Sequence, residues 1–189
     1  MIKLDTESKS YTELTAWAED VVKFAKINIG DKNRKRKDPK TGKIKRRKID
    51  ASGNLRRSIK YKLSTNKNSI NFGVSGASYA DVVESGRRKG KFIPLDPLVK
   101  WIRKKPVRLR SEDNKFIKMT DSNVRQFARN ISKKAQKYGT SPTHFLRDAV
   151  EMAESKHREL FREAVEEDVR TQVTILVKNL ERLGIKRQL

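Results

Sequence analysis

Residues 33 to 48 read NRKRKDPKTGKIKRRK, ten Lys or Arg in sixteen positions with Asp38 the single acid. Such a stretch cannot enter a core, because each unpaired charge moved out of water is too costly. Ile44 is its one apolar side chain between Lys32 and Lys48, so the run has no face to bury. The spacing predicts a mobile loop or flexible hairpin turning at DPKTG. The rest of the chain must build its core around this interruption. The same bias runs through the whole sequence: 46 Lys or Arg stand against 23 Asp or Glu, a net +23. That charge favours polyanionic partners and says nothing about fold.

On either side the apolar pattern is regular. Leu14, Trp17, Ala18, Val21, Phe24 and Ala25 recur at three- and four-residue spacing and predict a helix over 10–29, stopped by Gly30. Ile59, Tyr61 and Leu63 alternate with polar residues, as do Ile70, Phe72 and Val74 across a TNKN turn. This predicts an antiparallel hairpin with one buried face. SYADVVESG is a short helical turn closed by Gly86. In LDPLVKWIRKK, Asp96 is the expected cap and Pro97 the first helical residue, with Leu98, Trp101 and Ile102 facing inward. Residues 106–120 suggest a second small hairpin. DSNVRQFARNISKKAQKYG predicts a helix capped by Asp121 or Ser122, with Val124, Phe127, Ala128, Ile131 and Ala135 inside.

Ser141 and Pro142 are expected to open a final helix reaching about residue 182. Its inner positions include Leu146, Ala149, Ala153, Leu160, Ala164 and Val173. Residues 147–170 hold eight acids and five bases, an acidic stretch in a basic chain. Its apolar stripe, Val165, Val169, Val173, Ile175 and Leu176, is either folded back on its own domain or a subunit contact, and the subunit contact is favoured. The class expected is α+β: a small antiparallel β-sheet packed by helices, with a long C-terminal helix. Residues 1–155 form the domain, with 31–49 as an insertion, and 156–189 a helical extension.

Little in the sequence suggests catalysis. With no cysteine, disulfides and thiolate metal sites are excluded. His144 and His157 lie thirteen apart, not at metal-pair spacing, and read as surface or packing residues. Gly73 and Gly76 lack the further glycine and lysine of a phosphate loop. Asp81 and Glu84 stand without other acids nearby in sequence. No enzyme activity, metal or cofactor is expected. No apolar leader opens MIKLDTESKSYTEL, and no run of about 20 apolar residues suggests a membrane span. Zinc-finger, basic-zipper and RNP-like patterns are missing, and stacking aromatics do not interleave the basic run. Aromatic residues are assigned mostly to core faces, so any DNA contact would be phosphate neutralisation.

Three short segments in order carry a resemblance. Gly53, Leu55, Arg56, Ser58 and Ile59 come first; Tyr79, Ala80, Val83, Glu84 and Gly86 second; Gly139, Pro142, Phe145, Leu146 and Ala149 last. Over about residues 10–155 the chain resembles the tail-completion, or head–tail joining, family of tailed bacteriophages, also called minor tail or neck proteins. The departures are the insertion at 31–49, the segment 105–120 and the tail beyond 160. Gly53 suits a positive φ before the strand. Leu55 and Ile59 tuck the strand entry onto the core. Tyr79 and Val83 are expected to pack the short helix on the sheet, and Glu84 to pair with Arg56 or Arg57, within the subunit or across to a neighbour.

The resemblance implies a virion structural protein at the neck or tail end, met in host cytoplasm during assembly. It implies a ring of copies, hexamer favoured and dodecamer possible, around packaged double-stranded DNA. Neighbours would be the portal or connector and the tail tube or other neck proteins, without a membrane. The basic loop, Arg34, Lys35, Arg36, Lys37, Lys43, Lys45, Arg46, Arg47 and Lys48, would reach DNA or an acidic ring and order only on assembly. Arg87, Arg88, Lys89 and Lys91 form a second basic loop. Val165, Val169, Val173 and Leu176 are the candidate subunit contact. The alternative is a non-specific nucleic-acid-binding protein gripping phosphates with loops 31–49 and 87–110.

Overall fold

The structure, a computed structural model, describes residues 8–31, 35–46, 49, 52–66, 69–104, 108–111 and 115–182. The class is α+β. The elements run α1 (Lys9–Gly30), β1 (Lys35–Lys37), β2 (Ile44–Arg46), α2 (Asn54–Ser58), β3 (Lys60–Asn66), β4 (Ser69–Ser75), α3 (Ala80–Ser85), α4 (Leu95–Lys104), α5 (Asp121–Tyr138) and α6 (Phe145–Arg182). They group into two compact units: residues 1–25, 60–75 and 148–189, and residues 26–59 and 76–147. This grouping cuts the chain elsewhere than the 155/156 boundary expected from the sequence.

In the first unit, β3 and β4 form the expected hairpin. Tyr61 pairs with Val74, Leu63 with Phe72 and Thr65 with Ile70, and all of these except the exposed Thr65 are the partly buried residues of their strands. Trp17 of α1 meets Phe72 edge-on, with ring centroids 4.7 Å apart. Ala18, Val21, Val22 and Ala25 on α1 are buried, as are Ala149 and Ala153 on α6. Polar contacts fix the register. His157 lies between Glu13 and Asp20, while Asp168 accepts from the backbone N–H groups of Lys9 at 3.0 Å and Ser10 at 2.9 Å. The two helices are therefore antiparallel, and α6 continues past the start of α1.

In the second unit, Ile102, Leu109, Val124 and Ala128 make a buried cluster, flanked by Leu98, Val99, Phe127 and Ile131. The inner face expected for α5 is the observed one. Its cap is Thr120, whose Oγ1 accepts from Asn123 N–H at 3.3 Å, rather than Asp121 or Ser122. α4 starts at Leu95, so Asp96 lies inside the first turn instead of before it. Trp101 is 38% exposed, a correction to its expected inward position. The segment after α4 is a bridge of Arg110 to Phe116 rather than two strands, among its described residues. α6 starts at Phe145, after Ser141 and Pro142, and ends at Arg182 as expected. Leu160, assigned to its inner face, is 48% exposed.

Part of the basic run forms a hairpin. Lys35 pairs with Arg46, Arg36 with Lys45 and Lys37 with Ile44. Asp38 shapes the turn: its carboxylate accepts from Lys40 N–H at 3.0 Å and Thr41 N–H at 3.2 Å, and Gly42 follows with φ 69°. Of the two forms the sequence allows, loop or hairpin, the described residues take the hairpin. Arg34, Arg47 and Lys48 lie outside the described residues.

Candidate nucleic-acid and assembly interface

Apart from Ala149, which belongs to the first unit, the three motif segments lie in the second unit. Gly53 has φ 75° and ψ −6° and precedes the short helix α2, not a strand. Leu55 and Ile59, four apart, are 4% and 2% exposed and anchor that helix. Ser58 Oγ donates to Leu55 O at 2.8 Å and accepts from Ala77 N–H at 2.9 Å, tying the first segment to the second. Tyr79 is 42% exposed, so it does not pack as expected; its hydroxyl takes the Asn54 amide at 3.3 Å. Ala80 opens α3, and Val83 O accepts from the Thr143 hydroxyl at 2.7 Å.

Glu84 joins the second segment to the third. Its carboxylate accepts from Leu146 N–H at 2.9 Å and Arg147 N–H at 3.1 Å. These are orphan donors at the start of α6, where the helix dipole also favours a negative charge. Within this chain Glu84 is therefore a helix cap rather than the partner of Arg56 or Arg57. Arg57 instead donates to Ser52 O at 3.2 Å. Two glycines allow the same junction. A Cβ on Gly86 would lie 2.3 Å from Thr140 O and 2.8 Å from Pro142 N, and one on Gly139 would lie 2.4 Å from Arg87 O. Phe145 is 1% exposed beside this turn.

The junction also gathers the cationic segments. Arg87 and Thr140 exchange backbone hydrogen bonds of 3.1 and 3.0 Å, and Gly90 N–H donates to Gln136 O at 2.7 Å. This lays the Arg87, Arg88, Lys89 and Lys91 loop along the end of α5. Ser141 Oγ donates to Lys37 O, fastening the basic hairpin to the same turn. Lys40 and Lys137 sit 5.9 and 5.5 Å from the Tyr138 ring centroid. Lys35, Lys37, Lys40, Lys43, Arg88, Lys89, Lys91, Lys133, Lys134 and Lys137 are all exposed. Residues far apart in sequence thus share one strongly basic surface. Farther along, Arg108 and Arg110 flank Phe116, at 5.5 and 4.6 Å from its centroid.

Between the hairpin and α5 lies a cleft of about 360 Å³, lined by Lys37, Ile93, Trp101, Ile131 and Lys134 among others. The helical spacing predicts a core position for Trp101. The helical stripe Leu98, Trp101, Ile102 has an edge, and Trp101 is on it.

The candidate subunit contact is exposed in the first unit: Val165 38%, Val169 37%, Val173 51% and Leu176 60%. Nearby on α6, His157 is 5% exposed. Its Nε2 lies 2.8 Å from Asp20 and its Nδ1 touches Glu13. Burial alone would lower its pKa, but the hydrogen bonds to Asp20 and Glu13 prevail and raise it. Lys156 and His157 together hold Asp20 below the ordinary carboxylate range. Both ring nitrogens are engaged by carboxylates, a packing role. Asp81 and Glu84 do not converge, since Glu84 caps α6. Among the described residues, no group of His, Cys, Asp and Glu is arranged to hold a metal ion, and no helix is long and apolar enough to cross a membrane. A scan against family models, curated proteins and solved structures finds no match to this chain.

Proposed function

We propose that this chain is a non-enzymatic virion structural protein: a ring-forming neck or tail-completion subunit that joins a phage head to its tail around the DNA channel. The observation that carries the reading is the interlock of the three motif segments. Ser58 bonds Ala77, Glu84 caps α6, and Gly86 seats against Thr140 and Pro142. Residues that resemble a family scaffold behave as scaffold here. They leave two surfaces of opposite character for partners, a basic one around Thr140 and an apolar stripe on α6. Exchange of unlike patches between copies is a heterologous contact, and such contacts form a ring where the rotation between copies closes.

Quantitative peptide mass spectrometry on purified particles of the source virus tests this, counting this chain against the portal. A ratio of about one half or about one, for a six- or twelve-fold ring, is expected. Absence from particles would overturn it. The convergence of both basic loops at Thr140 favours a second reading, non-specific nucleic-acid binding by phosphate neutralisation. In that case the isolated chain binds duplex tightly and loses affinity steeply with salt.

A further inference from the structure

The cleft beside the basic hairpin joins two chemistries that phosphate neutralisation alone does not use. Part of its lining is apolar and aromatic: Ile93, Trp101 and Ile131. Part is cationic: Lys37 from β1 and Lys134 from α5. Its volume of about 360 Å³ falls in the range of small-ligand sites. The lining is fixed from behind. Ser132 Oγ accepts from Ile93 N–H at 3.1 Å and donates to Ile93 O at 2.8 Å. The hairpin side is tied down by Ser141 on Lys37 O. The acid in the lining, Asp38, is 8% exposed, and its Oδ1 faces its own turn, accepting from Lys40 and Thr41.

An exposed Trp among lysines is the arrangement on which an unstacked nucleobase lies while flanking phosphates meet the cations. In a duplex the base faces are covered by their neighbours, so only an unpaired base reaches such a ring. The geometry points to a site for single-stranded nucleic acid, with one base on Trp101 and adjacent phosphates on Lys37 and Lys134. An acidic peptide would satisfy the lysines yet give the indole face no planar partner. The inference does not depend on the neck reading.

The test uses the full chain, a labelled oligothymidylate of about 15 nucleotides and a blunt duplex of equal length, a strand long enough to fill one such site. Trp101→Leu keeps apolar bulk and removes the indole. It is expected to weaken oligothymidylate binding about tenfold or more, the range for loss of one stacked base, and to leave duplex binding unchanged. Trp101→Phe, which keeps an aromatic face, should recover most of the loss. Lys134→Glu should weaken both ligands. The chain has two tryptophans, so Trp17→Phe isolates Trp101, whose fluorescence the oligothymidylate should quench. If Trp101→Leu does not fold, the quench and the Trp101→Phe affinity carry the test. Unchanged affinity in Trp101→Leu, absence of quenching, or equal competition by polyglutamate would overturn the proposal, the last in favour of an acidic protein partner.

Discussion

One carboxylate links two segments sixty residues apart in the chain. Glu84 supplies acceptors for the first N–H groups of α6, and a helix without such a cap loses about 1 kcal/mol. Glu84→Ala is expected to lower unfolding stability by about 1–2 kcal/mol in urea titration, while Arg56→Ala tests the ion pair that the sequence suggested and should not reproduce that loss by freeing Glu84. Gly139 is more exacting. Its φ of 74° and ψ of −166° are open to glycine almost alone, and a Cβ would strike Arg87 O. Gly139→Ala should cost about 3 kcal/mol or more by the same titration. His157 sets a pH dependence. Its folded pKa is raised, so its contribution is fully present below the ordinary value of 6.5 and fades as pH rises through the folded value. Asp20 and Asp168 are lowered, so their contributions hold above 3.8 and fade as pH falls through their folded values. Thermal melts should therefore peak between these limits, and His157→Gln should flatten the alkaline side. The glycines were legible as turn formers, since only a few residue types tolerate positive φ. The partners of Glu84 and His157 were not, because their hydrogen bonds span more than sixty residues and leave no local spacing.

Elements with a clear period were the legible ones. β3–β4 alternates with period two, and α1, α4, α5 and α6 carry stripes at helical spacing; each appears where its pattern lies. α2 was hidden because Ile59 serves two patterns at once. It is four residues from Leu55, a helical interval, and two from Tyr61, a strand interval, and the longer alternation dominated. The basic run fits a loop or a hairpin equally well by pattern, for a related reason. Backbone pairing between β1 and β2 needs no apolar face when Asp38 and Gly42 build the turn. The α6 stripe is an element-scale question with an element-scale test. Val169 and Val173 are 37% and 51% exposed, so charging them removes little from the folded chain. The double change Val169→Glu, Val173→Glu should leave the unfolding free energy of the monomer, from urea titration, within about 0.5 kcal/mol of the parent, as for most surface changes. If the stripe is a subunit contact, the same change abolishes self-association in sedimentation velocity. Retained association would place the contact elsewhere.

For the whole molecule the governing quantity is +23 on 189 residues. Copies brought side by side repel at the range of the Debye length, about 10 Å at 0.1 M ionic strength. A ring of such subunits is opposed by its own charge until something screens or neutralises it. Exposed acids on α6 offset part of this, since Glu159, Glu163 and Glu166 face solvent on the same helix as the apolar stripe. Self-association is therefore expected to be salt-dependent in the sense opposite to nucleic-acid binding. Raising ionic strength should move the purified chain from monomer toward a closed oligomer, while the same salt releases DNA by restoring counterions to phosphate. At low salt, stoichiometric polyphosphate should substitute for the added ions. Sedimentation velocity across a salt series, with and without polyphosphate, measures both effects on one sample. Growth of a single discrete species with salt supports a ring whose barrier is charge. A chain that remains monomeric under every condition, and only sheds DNA as salt rises, instead supports the nucleic-acid-binding reading, because then the cationic surface around Thr140 has its partner without any second copy.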